Sequence, residues 1–157
     1  MIAGRLKSFL DENKAPYQVA LHAEVFTSQE IAEALHVPGK ELAKVVIIRA
    51  GDRFVMAVVP ASRKIDTARL REIIGAAGEI RLATEEEFRG LFPGCEVGAM
   101  PPFGNLYGLD VYVERSLAED EDIFFQAGSH IESIRMKGKD YLRLAKPKVA
   151  EFGGPLP

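Results

Sequence analysis

The strongest constraint on the fold is a pair of apolar runs at residues 43–50 and 54–59, separated by a Gly-Asp-Arg segment that begins at Gly51. Two such runs joined by a short connection containing glycine indicate a β-hairpin. Lys44, at the start of the first run, shares one face with Val46 and Ile48, and the other face is also apolar. We therefore expect this strand to lie in a sheet that is covered on both sides, with Lys44 at its rim.

Shorter periodic segments surround the hairpin. Helical spacing and capping signals predict helices over residues 2–10, 28–35, 67–74, 85–91 and 139–144. Alternating or apolar runs predict strands over residues 17–21, 80–82, 109–113, 122–127 and 132–137. Short turns join most neighbouring strands. We therefore predict a compact single α+β domain over residues 1–157, with a mixed, largely antiparallel β-sheet flanked by helices.

Several classes of protein do not fit the composition. The one cysteine, Cys95, cannot form an internal disulfide or a cysteine-based zinc site. The three histidines are far apart and lack metal-ligand spacing, so we predict neither a metal nor another cofactor. The longest apolar runs are far below the roughly 18 residues that span a bilayer, and the first residues do not form a secretion signal. We expect a cytoplasmic protein without a membrane partner.

Charge is unevenly distributed around a formal net charge of -3. Residues 40–71 contain eight basic and three acidic side chains, and residues 135–148 contain six basic and one acidic. Residues 72–132 contain thirteen acidic and three basic side chains. The two basic segments are ordinary solvated surface or, if they fold together, one cationic face that binds phosphates.

Three places in the sequence carry residues suited to binding or catalysis. Lys44 is suited to a phosphate or carboxylate. The segment Gly98-Ala-Met-Pro-Pro-Phe-Gly104 is a stiff loop whose backbone groups are suited to a carbonyl or an anion. The segment Ala127-Gly-Ser-His130 brings a serine next to a histidine, but neighbours in an extended chain point to opposite faces. A Ser-His nucleophile pair is therefore not expected there.

Together and in this order, these motifs resemble the YbaK/ProX family of aminoacyl-tRNA deacylases. The same domain is inserted as the editing domain of bacterial prolyl-tRNA synthetases. The resemblance extends from about residue 22 to residue 141 and includes the segment that begins at Thr27. It implies a free-standing α+β domain that hydrolyses the ester between a wrong amino acid and the terminal adenosine of a tRNA. The implied partners are the acceptor end of aminoacyl-tRNA and prolyl-tRNA synthetase.

The resemblance also implies roles for individual residues. Lys44 matches the family's essential lysine, and Gly98 and Pro102 match the ends of its Gly-x-x-x-Pro loop; these three are the expected catalytic residues. His130 matches the histidine that limits the size of the bound amino acid. The other expected substrate-binding residues are neighbours of these motifs: Gly128, Ser129, Met100, Phe103 and Gly104.

Val45 departs from the family pattern for cysteine-specific members, which have a hydroxyl residue directly after the lysine. The resemblance therefore favours another small amino acid, alanine first and serine or threonine next, with cysteine less favoured, on tRNA(Pro). The alternative is a module of the same fold that binds a tRNA end or a synthetase without turnover.

Overall fold

The computed structural model describes residues 2–156, and this part of the chain forms six α-helices and ten β-strands. The helices are α1 (Gly4–Glu12), α2 (Ser28–Leu35), α3 (Thr67–Ile74), α4 (Glu85–Phe88), α5 (Arg115–Ala118) and α6 (Gly138–Ala145). The strands are β1 (Tyr17–Leu21), β2 (Ala43–Ala50), β3 (Arg53–Pro60), β4 (Arg63–Ile65), β5 (Ile80–Leu82), β6 (Val111–Glu114), β7 (Asp122–Ser129), β8 (Glu132–Lys137), β9 (Lys148–Ala150) and β10 (Gly153–Pro155).

The strands form three sheets. The largest has five strands in the order β5-β2-β3-β6-β9, in which β3 pairs with β6 and β6 with β9 in parallel, whereas the other pairs are antiparallel. A three-stranded antiparallel sheet has the order β1-β8-β7, and β4 pairs with β10. The predicted α+β class with a mixed, largely antiparallel sheet is confirmed, and the predicted hairpin is β2–β3.

Both faces of the five-stranded sheet are buried. On one face, Ile47 and Met56 belong to a large apolar cluster that also contains side chains of α1, α6 and the three-stranded sheet. On the other face, Ile48 and Val55 pack with Leu70 of α3 in a smaller cluster. The predicted covering of β2 on both sides is therefore confirmed, although β3 rather than β2 is the central strand.

Helix α2 is fixed at both ends and along its buried face. The Thr27 hydroxyl accepts a hydrogen bond from the Glu30 amide, and the Glu30 carboxylate accepts one from the Thr27 amide, which together form a capping box. His36 ends the helix in a left-handed conformation, with φ +56°. The buried face of α2 packs on Leu42 and Ala61, so its N-terminus lies beside the start of β2.

Several boundaries differ from the sequence prediction. The helix predicted to continue to Leu91 ends at Phe88. Residues 89–94 form turns, and the last of them, Gly94, has a φ of +84°. The predicted strand 109–113 is Val111–Glu114. Four short elements were not predicted: β4, α5, β9 and β10. Each has three or four residues, too few for a periodic pattern to emerge.

Several side chains of the two basic segments form ion pairs with acidic residues. In the second segment, Arg135 and Lys137 both form ion pairs with Asp122. In the first segment, Arg49 pairs with Glu87 and Arg53 with Asp110. Acidic residues of the middle of the chain thus pair with four of these basic side chains. Among the helices of residues 2–156, none has the length and apolarity needed to cross a bilayer.

Candidate active site

A cleft of about 460 Å³ lies where the N-terminus of α2, the first half of β2 and the end of β7 meet. Its wall contains Lys44 from the predicted lysine motif and Gly98 from the predicted loop. The remaining lining residues come from α2 and its approach, from the two strands and from the end of β3: Phe26, Thr27, Ser28, Gln29, Val45, Val46, Ala61 and Gln126.

The cleft exists because β2 and β7 meet at one point only. Leu42, just before β2, forms an isolated parallel bridge with Phe124 of β7. On the same edge of β2, pairing with β5 begins at Ile48. Between these two points, no strand of the described residues pairs with this edge, and the cleft occupies the gap. The topology therefore places the cleft at an unpaired sheet edge, where backbone groups are accessible.

Lys44 is half-buried in the cleft wall. Its Nζ donates a hydrogen bond to the carbonyl oxygen of Arg63, at 3.0 Å. Burial lowers the pKa of the Lys44 ammonium, because the charged form loses hydration. An anion in the cleft would supply the negative charge that this partly desolvated ammonium lacks.

The N-terminus of α2 faces the same cleft through Thr27, Ser28 and Gln29. The Thr27 hydroxyl satisfies the Glu30 amide of this first turn. Backbone amides of a first helical turn point out of the helix and carry part of its positive dipole. Lys44 and α2 therefore both favour a negatively charged group in the cleft.

His130 is held in place from several sides. Its Nε2 lies 2.9 Å from the carbonyl oxygen of Val97, and its Nδ1 lies 3.4 Å from Nε2 of Gln126. A carbonyl oxygen only accepts, so these contacts correspond to a histidine that donates from Nε2 and accepts at Nδ1. The His130 amide donates to the Glu96 carboxylate at 3.0 Å. A ring fixed in this way is suited to shaping a pocket.

The predicted Gly98–Gly104 loop is divided between the cleft and the core. Gly98, with φ +87°, lies at the cleft, and a Cβ at this position would lie 3.6 Å from Cε1 of His130. The Tyr141 hydroxyl donates to the Pro102 carbonyl at 2.9 Å in the buried interior. Phe103 is fully buried, and its ring lies 5.2 Å from that of Tyr141. The end of the loop is thus an anchor in the core.

The other predicted substrate-binding residues also lie outside the cleft wall. Met100 is buried in the large apolar cluster, and its sulfur accepts a hydrogen bond from the Gly98 amide. Gly104 is buried, and a Cβ there would lie 3.0 Å from Val111. For these residues the sequence pattern identified a loop that reaches the cleft at Gly98, but only contacts formed in the folded chain determine which of its side chains face the cleft.

Gly128 and Ser129 belong to the turn region that presents His130. Gly128 has φ +103°, and its backbone exchanges hydrogen bonds with the loop, receiving one from the Glu96 amide and donating one to the Ala99 carbonyl, both at 2.8 Å. The Ser129 hydroxyl donates to the Glu132 carboxylate at 3.3 Å. Ser129 therefore faces the hairpin and makes no nucleophile pair with His130, as the alternation of side chains predicted.

Sequence reasoning did not find Phe26 and Gln126. Gln126 precedes the predicted motif by one residue, and its place is set by a register shift between Gln126 and Ser129. Phe26 directly precedes the N-cap of α2 and is 66% exposed. The sequence does show an aromatic residue next to a predicted N-cap. That signal points to a site only when the neighbouring cleft is known.

Cys95 lies outside the cleft wall. Its sulfur is 3.4 Å from the hydroxyl of Tyr107, and burial raises the pKa of its thiol, which reduces the thiolate fraction. No group of His, Cys, Asp or Glu within residues 2–156 is arranged to hold a metal ion.

The fold and the cleft together indicate the class of protein. The described lining residues offer a half-buried lysine, a helix N-terminus and a glycine loop beside a fixed histidine. This arrangement is suited to binding and orienting an anionic substrate, and the described residues of the cleft wall include no serine or cysteine paired with a histidine. A site of this kind suits an enzyme that acts by positioning and polarising its substrate.

Comparison with known proteins specifies the family. The family model described as "Aminoacyl-tRNA editing domain" matches residues 22–144. The chain is 31% identical to the multifunctional Ser/Thr-tRNA deacylase ProXp-y of Escherichia coli over 153 residues, which cover 94% of this chain and 90% of that protein. The chain therefore belongs to the aminoacyl-tRNA editing domain family and is an aminoacyl-tRNA hydrolase.

Two further similarities agree with this placement. The chain is 35% identical over 78 residues to the proline–tRNA ligase of Heliobacterium modesticaldum, covering 50% of this chain and 13% of the ligase. A solved structure described as a candidate trans-editing enzyme for prolyl tRNA synthetase superimposes with a TM-score of 0.82 at 22% identity, covering 97% of this chain and 96% of that one. At this identity the superposition shows a shared fold.

Proposed function

We propose that this chain is a free-standing trans-editing deacylase, a single domain that removes a small hydroxyl-bearing amino acid, serine or threonine, from the terminal adenosine of tRNA. One observation carries the proposal: Lys44 and the N-terminus of α2 face one cleft whose wall also contains Gln126, and His130 contacts Gln126 beside Gly98. A phosphate of the tRNA 3′ end fits between Lys44 and the N-terminus of α2. The aminoacyl group then extends toward Gln126 and His130.

The reaction is hydrolysis of an ester. The oxygen of a water molecule attacks the aminoacyl carbonyl carbon, and the bond between that carbon and the ribose oxygen breaks. The ribose oxygen takes a proton, so the products are a free amino acid and a tRNA with a free terminal hydroxyl. In the proposal Lys44 holds the phosphate end, and the backbone near Gly98 positions the carbonyl.

The choice of amino acid depends on His130 and Gln126. His130 is 9% exposed and bound through both ring nitrogens, so it limits the room for a side chain. The Gln126 amide is a donor and an acceptor for a substrate hydroxyl. A site that bonds a hydroxyl rejects the analogue that lacks it, which favours serine and threonine over alanine. The name of the Escherichia coli relative supports the same order.

The proposal also concerns which tRNA carries the ester. Several relatives are proline–tRNA ligases, so tRNA(Pro) is the first tRNA to test and prolyl-tRNA synthetase the first partner. The experiment measures release of amino acid from tRNA(Pro) charged separately with serine, threonine, alanine, cysteine and proline. We expect hydrolysis of the seryl and threonyl esters with the prolyl ester spared. Equal rates for all five esters would contradict the proposed selectivity.

A further inference from the structure

We infer that Phe26 is a stacking platform for the adenine base of the terminal nucleotide. This inference deepens the proposed function, since it names the residue that positions the nucleoside carrying the ester. Phe26 lines the cleft together with Lys44, and its ring centroid lies 4.7 Å from that of His130 at an interplanar angle of 52°. One side of the ring thus contacts the pocket histidine.

The fold leaves most of the Phe26 side chain unpacked. The residue before an N-cap commonly packs on the fourth residue of the helix, which is Ile31 in α2. Ile31 belongs instead to a buried cluster in which Val25 is the contributing residue of this segment. Phe26 remains 66% exposed, although the residue next to it is fixed by the capping box. Its ring therefore contacts His130 on one side and leaves much of its surface open.

The chemistry of the cleft determines what the open side of the ring contacts. If the terminal phosphate lies at Lys44 and the ester near Gly98, the base of the same nucleotide projects from the ribose at the cleft rim. An aromatic ring is the side chain that binds an unpaired base by its face, and such stacking tolerates solvent exposure. The neighbouring Thr27 hydroxyl is already bound in the cap, which leaves Phe26 as the apolar surface there.

A different role for Phe26, covering the aminoacyl side chain beside His130, predicts different behaviour. In that role its removal weakens binding whether or not the base is present. In the stacking role its removal has an effect only when the base is present. The two roles are separated by combining a Phe26 substitution with removal of the base.

The experiment uses the full chain and a short acceptor-stem RNA with serine attached through a stable amide. One RNA ends in adenosine, and the other ends in a ribose without a base. For wild type, removal of the base is expected to weaken binding about ten-fold, as is Phe26→Leu with the adenosine RNA. With the base-free RNA, Phe26→Leu and wild type are expected to bind equally. Phe26→Trp is expected to retain the binding of wild type.

Leu82→Ala is the matched control, because Leu82 is an exposed apolar residue on β5 that does not line the cleft. Equal weakening by Phe26→Leu on both RNAs, or no weakening on either, overturns the inference. The proposed function has a separate test, which is turnover of the seryl ester by wild type. Binding to the amide-linked RNA does not require turnover, so the two ideas fail independently.

Discussion

The Nε2 atom of His130 lies 2.9 Å from the carbonyl oxygen of Val97, which fixes the histidine of the β7–β8 turn to the loop that leads into Gly98. The Gly128 backbone strengthens the same connection through its bonds with Glu96 and Ala99. Two segments about thirty residues apart in sequence therefore form one rigid side of the cleft.

Replacing His130 with alanine is expected to relax the limit on amino-acid size. The fixed ring occupies space beside Gly98, and its removal opens room for a larger side chain. The ratio of prolyl to seryl ester hydrolysis is expected to rise roughly ten-fold, the effect of a few methylene groups in a pocket. Rates on the two charged tRNAs give this ratio, and an unchanged ratio would show that His130 does not limit size.

Gly98→Ala and Gly94→Ala form a matched pair. Both glycines have positive φ, +87° and +84°, so each substitution is expected to cost about 1 kcal/mol of unfolding free energy. Only Gly98 lies at the cleft. We expect Gly98→Ala to lower the hydrolysis rate by more than about ten-fold, because small displacements of positioning groups reduce rates strongly. Gly94→Ala is expected to keep the wild-type rate; equal losses would mean that instability alone explains the effect.

Gln126→Leu is expected to reduce discrimination between seryl and alanyl esters. Leucine has a similar size but no hydrogen-bonding group, so the substrate hydroxyl loses its partner. KM for the seryl ester is expected to increase about ten-fold, with little change for the alanyl ester. Gln18→Leu on the exposed strand β1 is the control, since Gln18 bonds Arg135 outside the cleft. Parallel changes for both esters would remove Gln126 from the specificity proposal.

Asp120 is expected to make stability depend on pH. Burial, with smaller contributions from Glu41 and Glu119, raises the pKa of this carboxyl to about 6, and one of its oxygens is buried without a partner within residues 2–156. A pKa raised by folding means that Asp120 favours the native state below its unfolded pKa, near 4, and that this contribution is lost as the pH rises through 6.

The variant Asp120→Asn removes this titration. At pH 7.5 the free energy of unfolding of this variant is expected to exceed that of wild type by about 1 kcal/mol. This value is smaller than the full linkage effect, because residue 120 is partly exposed. At pH 4 the two proteins are expected to be nearly equal. Urea unfolding at the two pH values measures the difference, and a constant difference at both would contradict the role of ionisation.

The sequence predicted the β2–β3 hairpin, the burial of both faces of β2 and the helix over residues 28–35, because each depends on local periodicity and nearby side chains. Of the predicted site residues, Lys44 and Gly98 line one cleft, and His130 lies beside Gly98. Sequence reasoning missed Gln126 and Phe26, whose positions depend on a register shift in β7 and on the packing of Val25 in place of Phe26. The short strands β9 and β10 form through pairing with β6 and β4, distant in sequence, which no local pattern reveals.

Hydrolysis of a tRNA ester in the Lys44 cleft is the activity that we propose. Its most direct measurement is a time course of seryl-tRNA(Pro) hydrolysis with enzyme far below the substrate concentration. Wild type and Lys64→Ala, which removes an exposed lysine outside the cleft wall, are expected to complete many turnovers. Lys44→Ala is expected to lose at least about a hundred-fold in kcat/KM, the effect of removing a positioned charge from a catalytic site. Stoichiometric protection of the ester by wild type, or equal rates for wild type and Lys44→Ala, would contradict the account.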